Sequence, residues 1–181
     1  MSMISPEIYL KGFKEKSRTE MVKETRKLRS EIMRLEEMVK NNTPCFTKPS
    51  FETQLHYSKL YENEIIIYYI NAIFNPKFEK DPTWMFGVRN FILACREAEL
   101  SNLGLEELIK YFTIDKEFDN LKSYGEFEHF KKYNNKDINL ILDCPAKTKL
   151  SYYNIMQSKL HEFPFWFNEN KEVPKQVSNL N

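Results

Sequence analysis

The chain has 181 residues with 27 Lys plus Arg against 26 Asp plus Glu, a net charge of +1. Its apolar share is 41% and its aromatic share 14%. This length suits a domain with a sizeable core, and the balanced charge excludes a histone-like chain that coats nucleic acid by bulk attraction. The four glycines, Gly12, Gly87, Gly104 and Gly125, each stand alone. A loop that cradles phosphate needs clustered glycines so that its backbone can approach the ligand, which excludes the P-loop and dinucleotide-binding motifs.

Cys45, Cys95 and Cys144 are odd in number and about fifty residues apart. They form neither a disulfide framework nor a zinc-ligand pair, and reduced thiols in a cytoplasmic protein are expected. The N-terminus lacks the basic-then-apolar order of a signal peptide, and the longest apolar run, around Ile65 to Phe74, is too short to span a bilayer. No membrane role is expected. The richness in Lys, Asn, Ile, Phe and Tyr suits an AT-rich prokaryotic or phage genome.

In chain order, Ser5-Pro6-Glu7 starts a helix: serine caps, proline suits the first turn, and the acid meets the positive end of the dipole. From Lys16 to Lys40 the helical signal is the strongest in the chain. Met21, Thr25, Leu28, Ile32, Leu35 and Val39 follow a 4-3-4-3-4 spacing, a heptad seam of about three repeats. An unbroken helix from Pro6 to Lys40 would be about 50 Å long, unless Gly12 bends it early. Asn41-Asn42-Thr43-Pro44 stops it.

Ser50 caps a second helix, and continuity carries it through the β-branched run of residues 64–74, where helix is favoured over strand. Asp81-Pro82 opens a third, apolar nearly all round from Trp84 to Cys95 and therefore central. Leu105 to Phe112 forms a fourth. A fifth starts at Asp115 and carries Phe118, Leu121, Phe127, Phe130 and Tyr133, with a kink at Gly125. Asn134 to Asp137 is a turn, residues 138–142 are the one candidate strand, and a last helix covers about Leu150 to Leu160. The expected fold is all-α, with five to six helices, a long amphipathic N-terminal helix and that single short strand. The expected organisation is a basic helical arm over residues 1–42, a helical core over 43–168 and a polar tail over 169–181.

Residues 11–34 hold nine basic side chains and four acidic ones, about +5 in all. Lys16, Lys23, Arg26, Lys27 and Arg34 fall on positions facing away from the seam. Two readings compete: a solvated face on a core helix, or a cationic edge offered to a partner. A protein partner is favoured. Nucleic acid is the alternative, although no aromatics interleave with the cations to stack on bases. The seam also has two readings, packing on the chain's own core or self-association as a homo-oligomer. A parallel pair would place Glu24 opposite Arg29 favourably but Glu31 opposite Glu36 unfavourably. Near the C-terminus Phe163, Phe165, Trp166 and Phe167 surround Pro164, either closing the core or anchoring a partner.

No catalytic constellation emerges. His56, His129 and His161 lack a second histidine or cysteine at ligand spacing, so neither a metal nor a cofactor is expected. Arg89-Asn90 lacks the following histidine of small helical RNases, since those positions are Ala94, Cys95 and Arg96. Asp137, Asp143 and Lys147 do not have the acid-x-lysine spacing of a metal-dependent nuclease. Glu126, three residues before His129, can face it on a helix, and an enzyme with a dispersed site there, a nuclease for instance, is the third reading. The leading expectation is a small non-catalytic interaction or regulatory protein that binds through its N-terminal helix.

Overall fold

The computed structural model describes residues 3–75, 82–113 and 125–161. The described chain is helical throughout, without a strand among these residues. The elements are α1 (Pro6–Lys14), α2 (Arg18–Lys40), α3 (Phe51–Ile73), α4 (Pro82–Cys95) running on into a π-helical turn (Arg96–Leu100), α5 (Leu105–Phe112), a 3-10 segment (Gly125–Tyr133), α6 (Lys136–Leu142) and α7 (Ala146–His161). The chain divides into two compact units, with the boundary between Tyr68 and Tyr69 inside α3.

In the first unit the expected rod is two helices. The break does not fall at Gly12, which lies inside α1, but at Glu15 to Ser17. There Ser17 caps α2: its side chain accepts from the Glu20 backbone N–H, and the Glu20 carboxylate accepts from the Ser17 backbone N–H at 2.9 Å. This reciprocal box satisfies donors that a helix end leaves open. Lys16 therefore sits in the turn and not on the helix. At the other end Asn42 adopts φ 50°, and Thr43 N–H donates to the Met38 carbonyl at 3.0 Å. The helix thus closes on a left-handed asparagine before Pro44 is reached.

The three helices run up, down and up. Arg29 and Glu36 of α2 meet Glu62 and Lys59 of α3 in reversed order, whereas Tyr9 and Phe13 of α1 meet Tyr61 and Tyr68 of α3 in the same order. Tyr9 and Tyr61 stack at 4.1 Å between centroids. The Tyr9 hydroxyl donates to Glu24 at 2.8 Å, and the Tyr61 hydroxyl donates to the Ile4 carbonyl at 2.8 Å. Burial, followed by the Glu24 contact, pushes the Tyr9 phenol well above its ordinary range.

The second unit is built on α4, as its all-round apolar character predicts. Met85, Val88, Phe91, Ile92, Ala94 and Cys95 are buried, and α4 packs on α6 and α7. The high aromatic content has its use here: Phe91, Phe112 and Phe127 contact one another at centroid distances of 5.4 to 6.2 Å, and Phe127 meets Tyr153 at 5.8 Å. These tilted and edge-on pairs join α4, α5, the 3-10 segment and α7.

Residues 138–142 are helical, which corrects the expected strand. Their β-branched content suggests a strand, but Ile138, Ile141 and Leu142 are the buried positions, an i, i+3, i+4 spacing that only a helix places on one side. Asn135 caps this helix by accepting from the backbone N–H groups of Asp137 and Ile138, so the expected turn is shorter than Asn134 to Asp137. Residues 64–73 are helix, as favoured, and the last helix begins at Ala146 rather than Leu150. The α4 helix does not continue regularly to Leu100 but widens into the π turn. Of the fifth helix, Asp115, Phe118 and Leu121 lie outside the described residues. The rest is a 3-10 segment, whose three residues per turn align Phe127, Phe130 and Tyr133 on one edge, the first two fully buried.

Candidate interaction surface

Met21, Thr25, Leu28, Ile32 and Leu35 are buried in the folded chain, and Val39 is half-buried. The charges that would have flanked a parallel dimer are engaged within the chain: Arg29 with Glu62, Glu24 with Tyr9, Glu36 with Lys59 and Glu31 with Arg34. Along the seam, α2 thus presents an internal packing edge. Thr25 is tolerated there because its hydroxyl donates to the Met21 carbonyl at 2.8 Å.

At 100° per residue, Lys23, Lys27 and Arg34 lie opposite the buried Ile32. Lys16, Lys23, Arg26, Lys27 and Arg34 are all exposed. Arg34 is committed to Glu31, with Nε donating to Oε2 at 2.9 Å. That contact holds the Glu31 carboxyl below its ordinary range. Lys16, Lys23 and Lys27 have no ion pair among the described residues. Met33 is 59% exposed on the same helix. Glu20, held low chiefly by the Ser17 backbone N–H, and Glu37 interrupt the cationic edge.

His129 sits in a different setting. One ring nitrogen, Nδ1, faces the Glu126 backbone carbonyl, and Nε2 lies 3.4 Å from Glu99 of the π turn. Glu126 therefore meets His129 through its main chain, not its carboxylate. Glu99 also accepts from the Tyr133 hydroxyl at 2.9 Å and lies 3.7 Å from Lys132 Nζ. The Tyr133 bond comes first among the causes that hold the Glu99 carboxyl below its ordinary value. These contacts engage both ring nitrogens, and the cluster ties the 3-10 segment to the π turn. Sequence reasoning missed Glu99 because it lies thirty residues from His129, and nothing local links them.

Phe163, Phe165, Trp166 and Phe167, like the 169–181 tail, lie outside the described residues. No group of His, Cys, Asp and Glu side chains suited to a metal ion occurs among the described residues, and no described helix is long and apolar enough to cross a membrane. Cys45, Cys95 and Cys144 are free thiols, with Cys95 buried. No family model matches the sequence, and no match was found among curated proteins or solved structures.

Proposed function

We propose that this is a non-catalytic interaction or regulatory protein that engages an acidic surface of a protein partner with the outward edge of α2. The supporting observation is the division of labour on that helix. Its apolar edge is buried inside the chain, while Lys23 and Lys27 on the helix, and Lys16 in the turn before it, are exposed without an ion pair among the described residues. The interleaved Glu20, Glu31 and Glu37 weaken the field a phosphate backbone would need, and exposed Met33 adds apolar contact, so a protein is favoured over nucleic acid. The three free thiols suit a reducing compartment such as the cytoplasm.

The test is affinity capture from native lysate with and without nuclease, using the wild type and a Lys16→Glu, Lys23→Glu, Lys27→Glu variant of unchanged helicity. A nuclease-resistant partner that is retained by the wild type and lost by the variant supports the reading. Nuclease-sensitive capture, with steeply salt-dependent binding to DNA or RNA, would replace it with the nucleic-acid reading. Equal retention by both proteins would remove α2 from the interface altogether.

A further inference from the structure

The guanidinium of Arg89 on α4 is only partly occupied by the fold. Its Nε and Nη2 both donate to Asn90 Oδ1, at 3.1 and 3.0 Å, and its guanidinium carbon lies 4.6 Å from the centroid of the Phe86 ring. These contacts fix the plane of the group. Of its five N–H donors, the three that remain have no acceptor among the described residues. Arg29 and Arg34, by contrast, each pair with a glutamate. Arg89 is half-buried, and that burial, more than anything else, pulls its basicity below the ordinary value. Asp137 of α6 acts on it through space and partly offsets this, without forming an ion pair. A partly desolvated guanidinium set over an aromatic ring, with no ion-paired carboxylate among the described residues, is a receptor for a planar anion.

The rim of this point is apolar. Phe86, over which the guanidinium sits, is 38% exposed. Arginine and aromatic anchors of this kind concentrate binding energy at interfaces. The single positive charge, the nearby Asp137 and the apolar Phe86 ring disfavour a doubly charged phosphate and suit one carboxylate beside a hydrophobic side chain. We propose that Phe86 and Arg89 form a docking point for a partner peptide that presents an aspartate or glutamate next to an apolar residue. This surface belongs to the second unit and does not depend on the role proposed for α2.

Selection of a displayed random heptapeptide library on the full-length protein tests it, followed by fluorescence anisotropy on the selected peptides. Enrichment of an acidic residue adjacent to Leu, Ile or Phe is expected. Arg89→Gln should weaken binding at least tenfold and Arg89→Lys severalfold, since an ammonium cannot reproduce the paired N–H geometry. Asp137→Asn should tighten binding severalfold by removing repulsion, and this variant keeps the proposal testable if Arg89 substitutions perturb folding. Reversal of Lys16, Lys23 and Lys27 should leave affinity unchanged. Failure to select any peptide, selection of peptides without an acid, or binding that Asp137→Asn and a folded Arg89→Gln leave within twofold of the wild type overturns the proposal.

Discussion

The Arg29 guanidinium donates to the Glu62 carboxylate at 2.8 Å between α2 and α3, and the Glu62 side chain is only 6% exposed. A carboxylate so withdrawn from water is tolerable because a cation meets it. Removing only the cation strips the carboxylate of this ion pair, whereas removing both replaces a costly pair with apolar packing. Arg29→Met is therefore expected to destabilise by about 3 kcal/mol. Adding Glu62→Met to it should recover most of that loss. Urea unfolding of the two single variants and the double variant measures the coupling; additive losses would show that the pair does not act as a unit.

Gly12 and Gly87 are both helical, yet replacement by alanine should have opposite effects. A Cβ at Gly12 meets nothing within 4 Å, so Gly12→Ala should stabilise by about 0.5–1 kcal/mol through the lost backbone entropy of glycine. A Cβ at Gly87 would stand 2.8 Å from Tyr152 Cε1, at the packing of α4 on α7. Overpacking costs about 1–3 kcal/mol, which exceeds the helix-propensity gain of about 1 kcal/mol at most positions in that range. Thermal unfolding midpoints should rise for the first variant and fall for the second.

Ser17 begins α2 and thereby sets the turn that lets α1 fold back. Ser17→Ala should cost about 1 kcal/mol, while Ser17→Asp, which keeps an acceptor at the cap, should cost much less. Denaturant midpoints compare the two. Equal losses would mean that the side-chain cap contributes little.

Glu20, Glu31, Glu99 and Glu128 all have carboxyl groups held below the ordinary glutamate value. At Glu128 burial acts the other way but is outweighed by the bonds from Lys131 and Lys149. A lowered folded-state value means that the unfolded chain takes up protons first as acid is added. The associated stability is complete above the ordinary carboxylate range, about pH 4, and is lost as pH falls through the folded values. The melting temperature should be level near neutrality and drop below about pH 4. Tyr133→Phe removes the leading cause at Glu99 and should raise the titration midpoint of that carboxyl, read by carbon NMR. An unchanged midpoint would contradict the contact.

Much of the local structure was legible in order along the chain. The 4-3-4-3-4 spacing of α2 marks its buried edge, Ser50 marks the start of α3, and the apolar girth of residues 84–95 marks the central helix. The Ser17-x-x-Glu20 box was also written there, but the continuous charge and seam pattern around it favoured a single rod. The same limit shows at residues 138–142, where β-branched composition and helical spacing disagree and the spacing prevails because burial acts on position.

The sequence by itself determined a mainly all-α fold class, which edges of its helices are apolar, and where the cations of α2 lie relative to its seam. These are consequences of periodicity, which is local. Only the tertiary structure decided what covers the seam, that Arg29 belongs to Glu62 and His129 to Glu99, and that Arg89 has no acidic mate among the described residues. Those pairings join residues roughly thirty positions apart, and the free energy of a charge depends on the neighbours that folding brings to it, which no local spacing encodes.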